Sequence, residues 1–445
     1  ARWRMDARMD GGFDAIVVGS GPGGGSVANE LSKRGRKVLI LEKGTGEAIA
    51  GTIAQTIRMA LIPGRGLHFT PQLLGLIHAI TLGGSSIIYY ANAFEPPYEV
   101  FDRYGIDLRA EVAAVKAELP IAPLADGLLG PAAQSIMTSA RELGYAWNPL
   151  PKLVYQDKCR TNCDKCVMGC PYGAKWTSRR SVEEACEDGA VLLTGAGVER
   201  VLQEDGRAVG VAFTQRGEQQ RAYARTIILA AGGIGTPLIL RQSGIHNAGS
   251  DFFFDPLIFA IGEGDEQHGG KEFPMATGCS FPEEGYLLTD LVLPQWLYWL
   301  FTAQVLRFDR LPAHSRALPI MIKARDELGG QLTKRGGVRK RLSETERKRL
   351  RHGYEHARRI LTNAGARKIY KTWYLAVHPG GTAKINDVVD ANLKTEVDNL
   401  YVCDCSVIPE AWGLPPSLTL LALGKRLGKH LAGESSRVGR AAVYA

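Results

Sequence analysis

Short apolar runs closed by glycine or a charged residue alternate along this chain with stretches of helical periodicity, an order that predicts strands joined by helices. Phe13 to Val18 reads as a buried strand. Beyond a glycine-rich turn, Ser26 to Arg34 repeats its apolar positions at helical spacing, and Lys37-Val-Leu-Ile-Leu-Glu42 reads as a second strand. Val191 to Gln215 reads as two strands joined at Glu204-Asp205-Gly206. Thr226 to Ala231 is a buried strand ending at Gly232-Gly233, Leu400 to Cys403 is another short strand, and Ser417 to Leu431 is a closing helix. Parts of one α/β unit therefore recur at the start, middle and end of the chain. With 445 residues, too many for one compact core, two lobes are expected. The first is a discontinuous α/β domain over 1–95, 151–250 and 373–445, with a cysteine-rich insert at about 155–180. The second is an α+β lobe over 96–150 and 251–372.

The turn after the first strand is Gly19-Ser-Gly-Pro-Gly-Gly-Gly25. Gly19, Gly21 and Gly24 fit G-x-G-x-x-G. The first two permit a tight turn and the approach of backbone N–H groups to a pyrophosphate at a helix N-terminus, and the third lets helix and strand pack closely. Glu42 ends the second strand, where a carboxylate accepts hydrogen bonds from ribose hydroxyls. Strand, glycine turn, helix and strand with a terminal acid together predict the opening of a Rossmann-type dinucleotide domain. This unit alone leaves FAD and NAD(P) both open.

Three further segments follow in order: Thr81-Leu-Gly-Gly-Ser-Ser86, Ile228-Leu-Ala-Ala-Gly-Gly-Ile-Gly-Thr-Pro237 and His378-Pro-Gly-Gly-Thr382. Val402-Cys-Asp-Cys-Ser-Val-Ile-Pro409 then precedes Pro416-Ser-Leu-Thr419. Together these resemble the glucose–methanol–choline (GMC) oxidoreductases over nearly the whole chain, and Asn92-Ala-Phe-Glu-Pro96 is similar to the cholesterol oxidase and long-chain alcohol oxidase branches. The resemblance implies FAD, with Gly83, Gly84, Ser85 and Ser86 near the flavin and Asp404 at the ribityl–phosphate region. It implies that His378 takes the proton of a substrate hydroxyl while hydride passes to the flavin, a role suited to an imidazole of near-neutral pKa. A satisfied structural histidine is the other reading of His378. Two departures stand out. Tyr89 occupies the place of the family's usual Asn, and Pro415 and Pro416 stand where a second His or Asn partner is usual.

Half of the eight cysteines fall in one run, Cys159, Cys163, Cys166 and Cys170, followed by Pro171. The spacing C-x₃-C-x₂-C-x₃-C-P is one residue off the bacterial ferredoxin run whose thiolates hold a 4Fe-4S cluster. Zinc, which usually takes two ligand pairs set well apart, and plain structural thiols are the other readings; a similar Gly-Cys-Pro-x-Gly-Ala-Lys stretch, here Gly169 to Lys175, occurs in the long-chain alcohol branch of the family. Cys186, Cys279, Cys403 and Cys405 are further candidate ligands. Cys403 and Cys405, at i and i+2 of a strand, are expected on one face as packing residues.

The formal charge of +8 is modest and gathers between Lys334 and Arg359, where Ser343 and Glu346 predict a capping box. That run reads as a solvated helix face, with docking of an acidic electron-carrier protein as the minor reading and no case for nucleic acid. The N-terminus, Ala1 to Asp6, lacks the apolar core of a secretory signal. Leu287 to Phe308 is too interrupted to span a bilayer, and its Trp296, Tyr298, Trp299 and Phe301 are expected in a core or a substrate pocket, with shallow membrane docking the lesser reading. A cytoplasmic enzyme, with peripheral membrane or complex association as an option, follows. The expected function is a dehydrogenase that moves hydride between a hydrophobic alcohol-type substrate and FAD, then relays electrons singly through the cluster to a redox partner protein or quinone. An electron-transfer or reductase subunit of a larger complex, and an oxygen-using alcohol oxidase with structural cysteines, are the alternatives.

Overall fold

The computed structural model describes residues 12–265 and 270–433; the N-terminal stretch read for a secretory signal lies outside them. The opening unit forms as its pattern predicts. Strand β1 (Phe13–Val18) pairs in parallel with β2 (Val38–Glu42), Ile16 opposite Leu39, and helix α1 (Pro22–Ser32) connects them. The helix begins four residues earlier than its apolar spacing indicates. Pro22, at the first helical position, has no N–H to leave unpaired and its fixed φ suits that site.

These strands belong to a seven-stranded sheet. Its path runs Val191–Thr194, β2, β1, Glu218–Leu229, Arg207–Gln215 and Ala196–Glu204, and Leu400–Val402 also pairs with Glu218–Leu229. The long strand Glu218–Leu229 serves two purposes. Its first half closes an antiparallel meander, and its second half lies parallel to β1, Ile227 opposite Ile16. The region 191–215 holds three strands instead of two, because Gly195, at φ 67°, breaks the first from the second. Leu400–Val402 stops before Cys403, and Cys405 opens a short 3-10 turn. The two thiols are therefore not a strand pair: Cys403 is fully buried in the core, while Cys405 reaches a large cavity.

An eleven-stranded sheet is built around Ser250–Glu263, which pairs with Ala317–Ala324 on one side and Leu375–Gly380 on the other. Leu67–Phe69 and Gly75–Ile77 extend this sheet next to Leu375–Gly380, although all three fall in segments that the sequence groups with the dinucleotide domain. Helix Glu344–Asn363 covers one face, its start fixed by the expected capping box of Ser343 and Glu346. Leu350, Ala357, Ile360 and Leu361 are buried beneath it, while Arg351 and Glu344 form an exposed pair. The basic run is not wholly solvated, since Lys340 is 5% exposed and Arg335 lines the cavity. Among the described residues no helix is long and apolar enough to cross a membrane; the aromatic stretch near 300 forms the ten-residue helix Gln295–Gln304. Phe301 and Trp296 of that helix line the cavity, Tyr298 is buried, and Trp299 is 45% exposed.

Candidate active site

A cavity of about 1300 Å³ lies where the two sheets meet. It is larger than the roughly 300–1,000 Å³ of an ordinary small-molecule pocket, which leaves room for a dinucleotide and a substrate together. Its lining includes Gly19, Ser20, Gly21 and Glu42 of the opening unit, and Gly84, Ser85, Ser86, Gly232, Asp404 and Pro416. His378 and the apolar residues Phe259, Leu293, Leu297 and Phe301 line it as well.

The three glycines of the turn divide their work. Gly19 has φ 102°, and a Cβ there would stand 2.2 Å from the carbonyl oxygen of Ala230. A Cβ on Gly24 would stand 2.2 Å from the carbonyl oxygen of Gly19, so Gly24 sets the helix-to-turn packing and is not on the cavity wall. Gly21 faces open space, with nothing within 4 Å of a Cβ built on it, at the N-terminus of α1. That open space beside free helix N–H groups is a cradle suited to a pyrophosphate. Glu42 is 5% exposed and held on both oxygens: Oε2 accepts from Ser20 N at 3.1 Å and Ser20 Oγ at 2.5 Å, and Oε1 accepts from Gly44 N at 2.6 Å. Burial pushes its pKa up while these bonds oppose the shift.

Ser20 Oγ also accepts from Gly83 N at 2.9 Å, which ties the glycine turn to the Thr81–Ser86 loop. Gly83, at φ 95°, packs against Arg179 and does not line the cavity; Gly84 does. Ser86 lines the cavity too, but its hydroxyl donates to Gly83 O at 2.6 Å and accepts from Ser178 N at 2.9 Å, so its side chain braces the loop. Asp404 joins the final segment to the N-terminus of helix Gly232–Gln242. Its Oδ2 accepts from Gly232 N at 2.8 Å and Thr236 Oγ1 at 2.5 Å, and its Oδ1 accepts from Ser406 N at 2.8 Å. The chain thus brings Gly19, Gly21, Glu42, Gly84, Ser85, Ser86, His378 and Asp404 to one cavity, with Gly24 and Gly83 shaping the turns behind it.

His378 sits at a fault in its strand. Between the pairs Phe253–Gly380 and Asp255–Val377 the register slips by one residue, and His378 itself has φ 54°. A bulge of this kind re-aims a side chain, and here Val377 and His378 both meet the cavity. A left-handed residue ahead of Pro379 is strained, as residues held for function often are. Asp255 Oδ2 lies 2.9 Å from Nδ1 of His378 and also accepts from Lys323 Nζ at 2.8 Å. Asp255 is 2% exposed and Lys323 1% exposed. The imidazole pKa is lowered, first by burial and then by Lys323, while the bond to Asp255 opposes the shift. A neutral ring with Nδ1–H fixed on a carboxylate leaves Nε2 as an acceptor. The phenol of Tyr89 donates to the carbonyl oxygen of Trp176 at 2.7 Å, and Pro415 and Pro416 offer the cavity no side-chain donor.

Sequence reasoning missed Asp255 and Lys323. Each is a lone charge inside an apolar strand, Phe252-Phe-Phe-Asp-Pro-Leu and Pro319-Ile-Met-Ile-Lys-Ala, and such a charge needs a buried partner. What identifies that partner is the register, Leu257 opposite Lys323 and Asp255 opposite Val377, which no local pattern carries.

The four clustered cysteines, with Arg160, Tyr172, Ala174, Lys175 and Phe273, line one separate small pocket. No group of three or more His, Cys, Asp or Glu among the described residues is gathered closely enough to hold a single metal ion. Burial raises the thiol of Cys159 to about 11 and that of Cys166 to about 12. Lys175, 5% exposed, donates from Nζ to the carbonyl oxygens of Ile87, Tyr89 and Cys166 at 2.6–2.8 Å. Its backbone N–H approaches Cys170 Sγ at 3.4 Å. The wall between this pocket and the large cavity is thin, because Tyr89, Tyr90 and Val167, the neighbour of Cys166, line the cavity side.

Comparison with known proteins agrees with this geometry. The N-terminal family model of the GMC oxidoreductases matches residues 60–268, their C-terminal model matches 337–424, and a model for NAD(P)-binding Rossmann-like domains matches 17–68. An uncharacterised GMC-type oxidoreductase of Mycobacterium tuberculosis is 26% identical, the match covering 92% of this chain and 74% of that protein. An uncharacterised protein of Methanocaldococcus jannaschii is 25% identical over 94% of this chain and 100% of its own. A long-chain-alcohol oxidase of Arabidopsis thaliana is 24% identical over 92% of this chain and 65% of its own. The crystal structure of a pyridoxine 4-oxidase superposes with a TM-score of 0.75 at 16% identity, covering 94% of this chain and 99% of that one. Fold and site together define an FAD-dependent oxidoreductase. The chain belongs to the GMC oxidoreductase family.

Proposed function

We propose that this enzyme oxidises a hydrophobic alcohol-type substrate, with His378 as the base and with electrons leaving through a cluster held by Cys159, Cys163, Cys166 and Cys170. The observation that carries the first half is the imidazole of His378, anchored through Nδ1 on the buried Asp255 and lining a cavity that it shares with Phe259, Leu293, Leu297 and Phe301. FAD, when bound, supplies the hydride acceptor. Gly19, Gly21 and Glu42 would hold its adenosine diphosphate portion, and Gly84, Ser85, Ser86 and Asp404 its flavin and ribityl portion. His378 Nε2 accepts the hydroxyl proton as the substrate carbon gives up hydride, and the apolar wall excludes water from the reacting carbon. A His378→Ala variant is expected to retain FAD while alcohol-driven flavin reduction falls about 10²–10⁴-fold. Unchanged reduction in that variant overturns the assignment, and points instead to a subunit that only relays electrons.

The second half rests on four thiols lining one pocket together with Arg160 and Lys175. A 4Fe-4S cluster there would supply one-electron transfer to an external protein or quinone. One observation favours a second reading, an oxygen-using oxidase with structural thiols: among the described residues the cysteines do not form a close single-ion site. Iron and acid-labile sulfide in anaerobically prepared protein support the first reading. FAD without iron, with peroxide released in air, supports the second.

A further inference from the structure

The large apolar side chains exposed among the described residues are not scattered. All but Tyr172, Val191 and Leu328 fall on three segments that also line the cavity. Ile53, Ile57 and Ile62 flank the lining residues Thr56, Ala60 and Leu61, and Phe69 and Leu73 follow the lining residue His68. Trp299, Leu300, Leu306 and Phe308 lie on or just beyond helix Gln295–Gln304, which contributes Trp296, Leu297 and Phe301 to the lining. Trp373 stands two residues before Leu375, another lining residue. Direct contacts join the three segments into one rim. The ring of Phe259 packs edge-on against Phe301, centroids 5.0 Å apart, and its backbone exchanges hydrogen bonds of 2.9 and 3.0 Å with Thr372. Trp373 Nε1 donates to the carbonyl oxygen of Leu73 at 3.2 Å. Gly64 and Arg65 are exposed and also line the cavity, which therefore comes to the surface beside this rim. A gathered apolar patch of this kind marks a surface that something covers.

The charge of the same segments identifies the cover. Residues 48–94, 291–308 and 356–386 contain no Asp or Glu, whereas Arg58, Arg65, Arg307, Arg367, Lys368 and Lys371 lie within them. Acids from outside these stretches pair with some of the cations: Glu47 with Arg58, Asp309 with Arg307 and Asp265 with Arg367, while Glu263 lies 3.8 Å from Lys368. Arg65 and Lys371 have no ion pair among the described residues. Exposed indole and aliphatic side chains beside an excess of cations match the headgroup boundary of an anionic bilayer. We propose that this rim docks the enzyme on an anionic lipid bilayer, from which an apolar substrate chain passes directly into the cavity. A protein seated on the rim would cover the way in, whereas a bilayer already holds molecules that the apolar wall accepts without their crossing water. That the incoming molecule is an alcohol rests on the alcohol-oxidation reading; the docking itself does not.

The test floats the full-length, FAD-loaded enzyme with vesicles of phosphatidylcholine, alone or with about one-third phosphatidylglycerol. The parent is expected to float with the anionic vesicles and more weakly with the neutral ones. Leu300→Gln/Leu306→Gln/Phe308→Gln should weaken binding to the anionic vesicles about tenfold or more, with melting temperature and bound flavin unchanged. Leu73→Asn, on a different segment and at a φ of 58° that Asn tolerates, should weaken it as well, and serves if the triple variant fails to fold. Lys371→Gln should weaken binding to the anionic vesicles about fivefold and leave the neutral ones unaffected. A parent enzyme that floats with neither vesicle, or folded rim variants that float like the parent, overturns the docking surface even where dodecanol reduces the flavin. A parent dimer that the triple variant disperses assigns the rim to a second copy of the chain and overturns the lipid assignment. Rim-dependent flotation without flavin reduction by dodecanol carried in the vesicles overturns the alcohol reading and leaves the docking surface standing.

Discussion

As the proposed base, His378 works only while it is neutral, and burial, Lys323 and Asp255 decide over what range that holds. Burial and the ammonium of Lys323 penalise the imidazolium, and Asp255 favours it, with the penalty the larger. A base with a lowered pKa stays neutral further into acid. The acid limb of anaerobic flavin reduction is therefore expected below the ordinary histidine value of about 6.5. Asp255→Asn removes the group that favours the charged ring, so that limb should move further down in pH, with a rate loss from the weakened hold on the tautomer. A stopped-flow pH profile of both proteins reads the direction of the shift. A limb above about 6.5 in the parent enzyme would mean that Asp255 outweighs burial. At this scale the sequence was informative about the histidine and silent about its setting. The segment His378-Pro-Gly-Gly marks the place, whereas the positive φ, the bulge and the carboxylate from a strand 123 residues away arise from pairing between distant segments.

Among elements, the glycine turn shows most clearly how one motif contains separable functions. A methyl group on Gly19 would meet the carbonyl of Ala230 and require a left-handed alanine, whereas a methyl group on Gly21 would meet nothing of the protein. Gly19→Ala is therefore expected to destabilise the fold by roughly 1–3 kcal/mol and to lose FAD with it. Gly21→Ala should melt like the parent apoprotein, yet bind FAD weakly because its Cβ enters the pyrophosphate space. Thermal unfolding of the apoproteins alongside FAD titrations separates the two, and equal melting temperatures for both variants would contradict the division. The pattern G-x-G-x-x-G was legible because its constraints are local. The sheet membership of Leu375–Gly380 was not, because that strand is placed by its partner Ser250–Glu263, whose hydrophobic run fits either sheet equally well.

For the whole molecule, the arrangement of the two sheets places the flavin cavity and the cysteine pocket on either side of one thin wall. Lys175 spans it from within, bonding the carbonyl oxygens of Tyr89, which lines the cavity, of Cys166, which lines the cysteine pocket, and of the buried Ile87 between them. Deleting thiols therefore has two possible consequences that a whole-enzyme assay separates. If the pocket holds a cluster that relays electrons, a Cys163→Ser/Cys166→Ser variant loses iron and loses transfer to a one-electron acceptor such as ferricenium. Reduction of its flavin by alcohol stays close to the parent rate, because His378 and Asp255 lie on strands of the eleven-stranded sheet and do not line the cysteine pocket. If the thiols are structural, the parent contains no iron, and the variant differs from it only in stability, through lost packing of a buried Cys166. Comparing the reductive half-reaction with ferricenium turnover and iron content decides between these. Loss of alcohol-driven flavin reduction in a folded, FAD-loaded variant would contradict both, and would mean that the wall couples the two pockets mechanically.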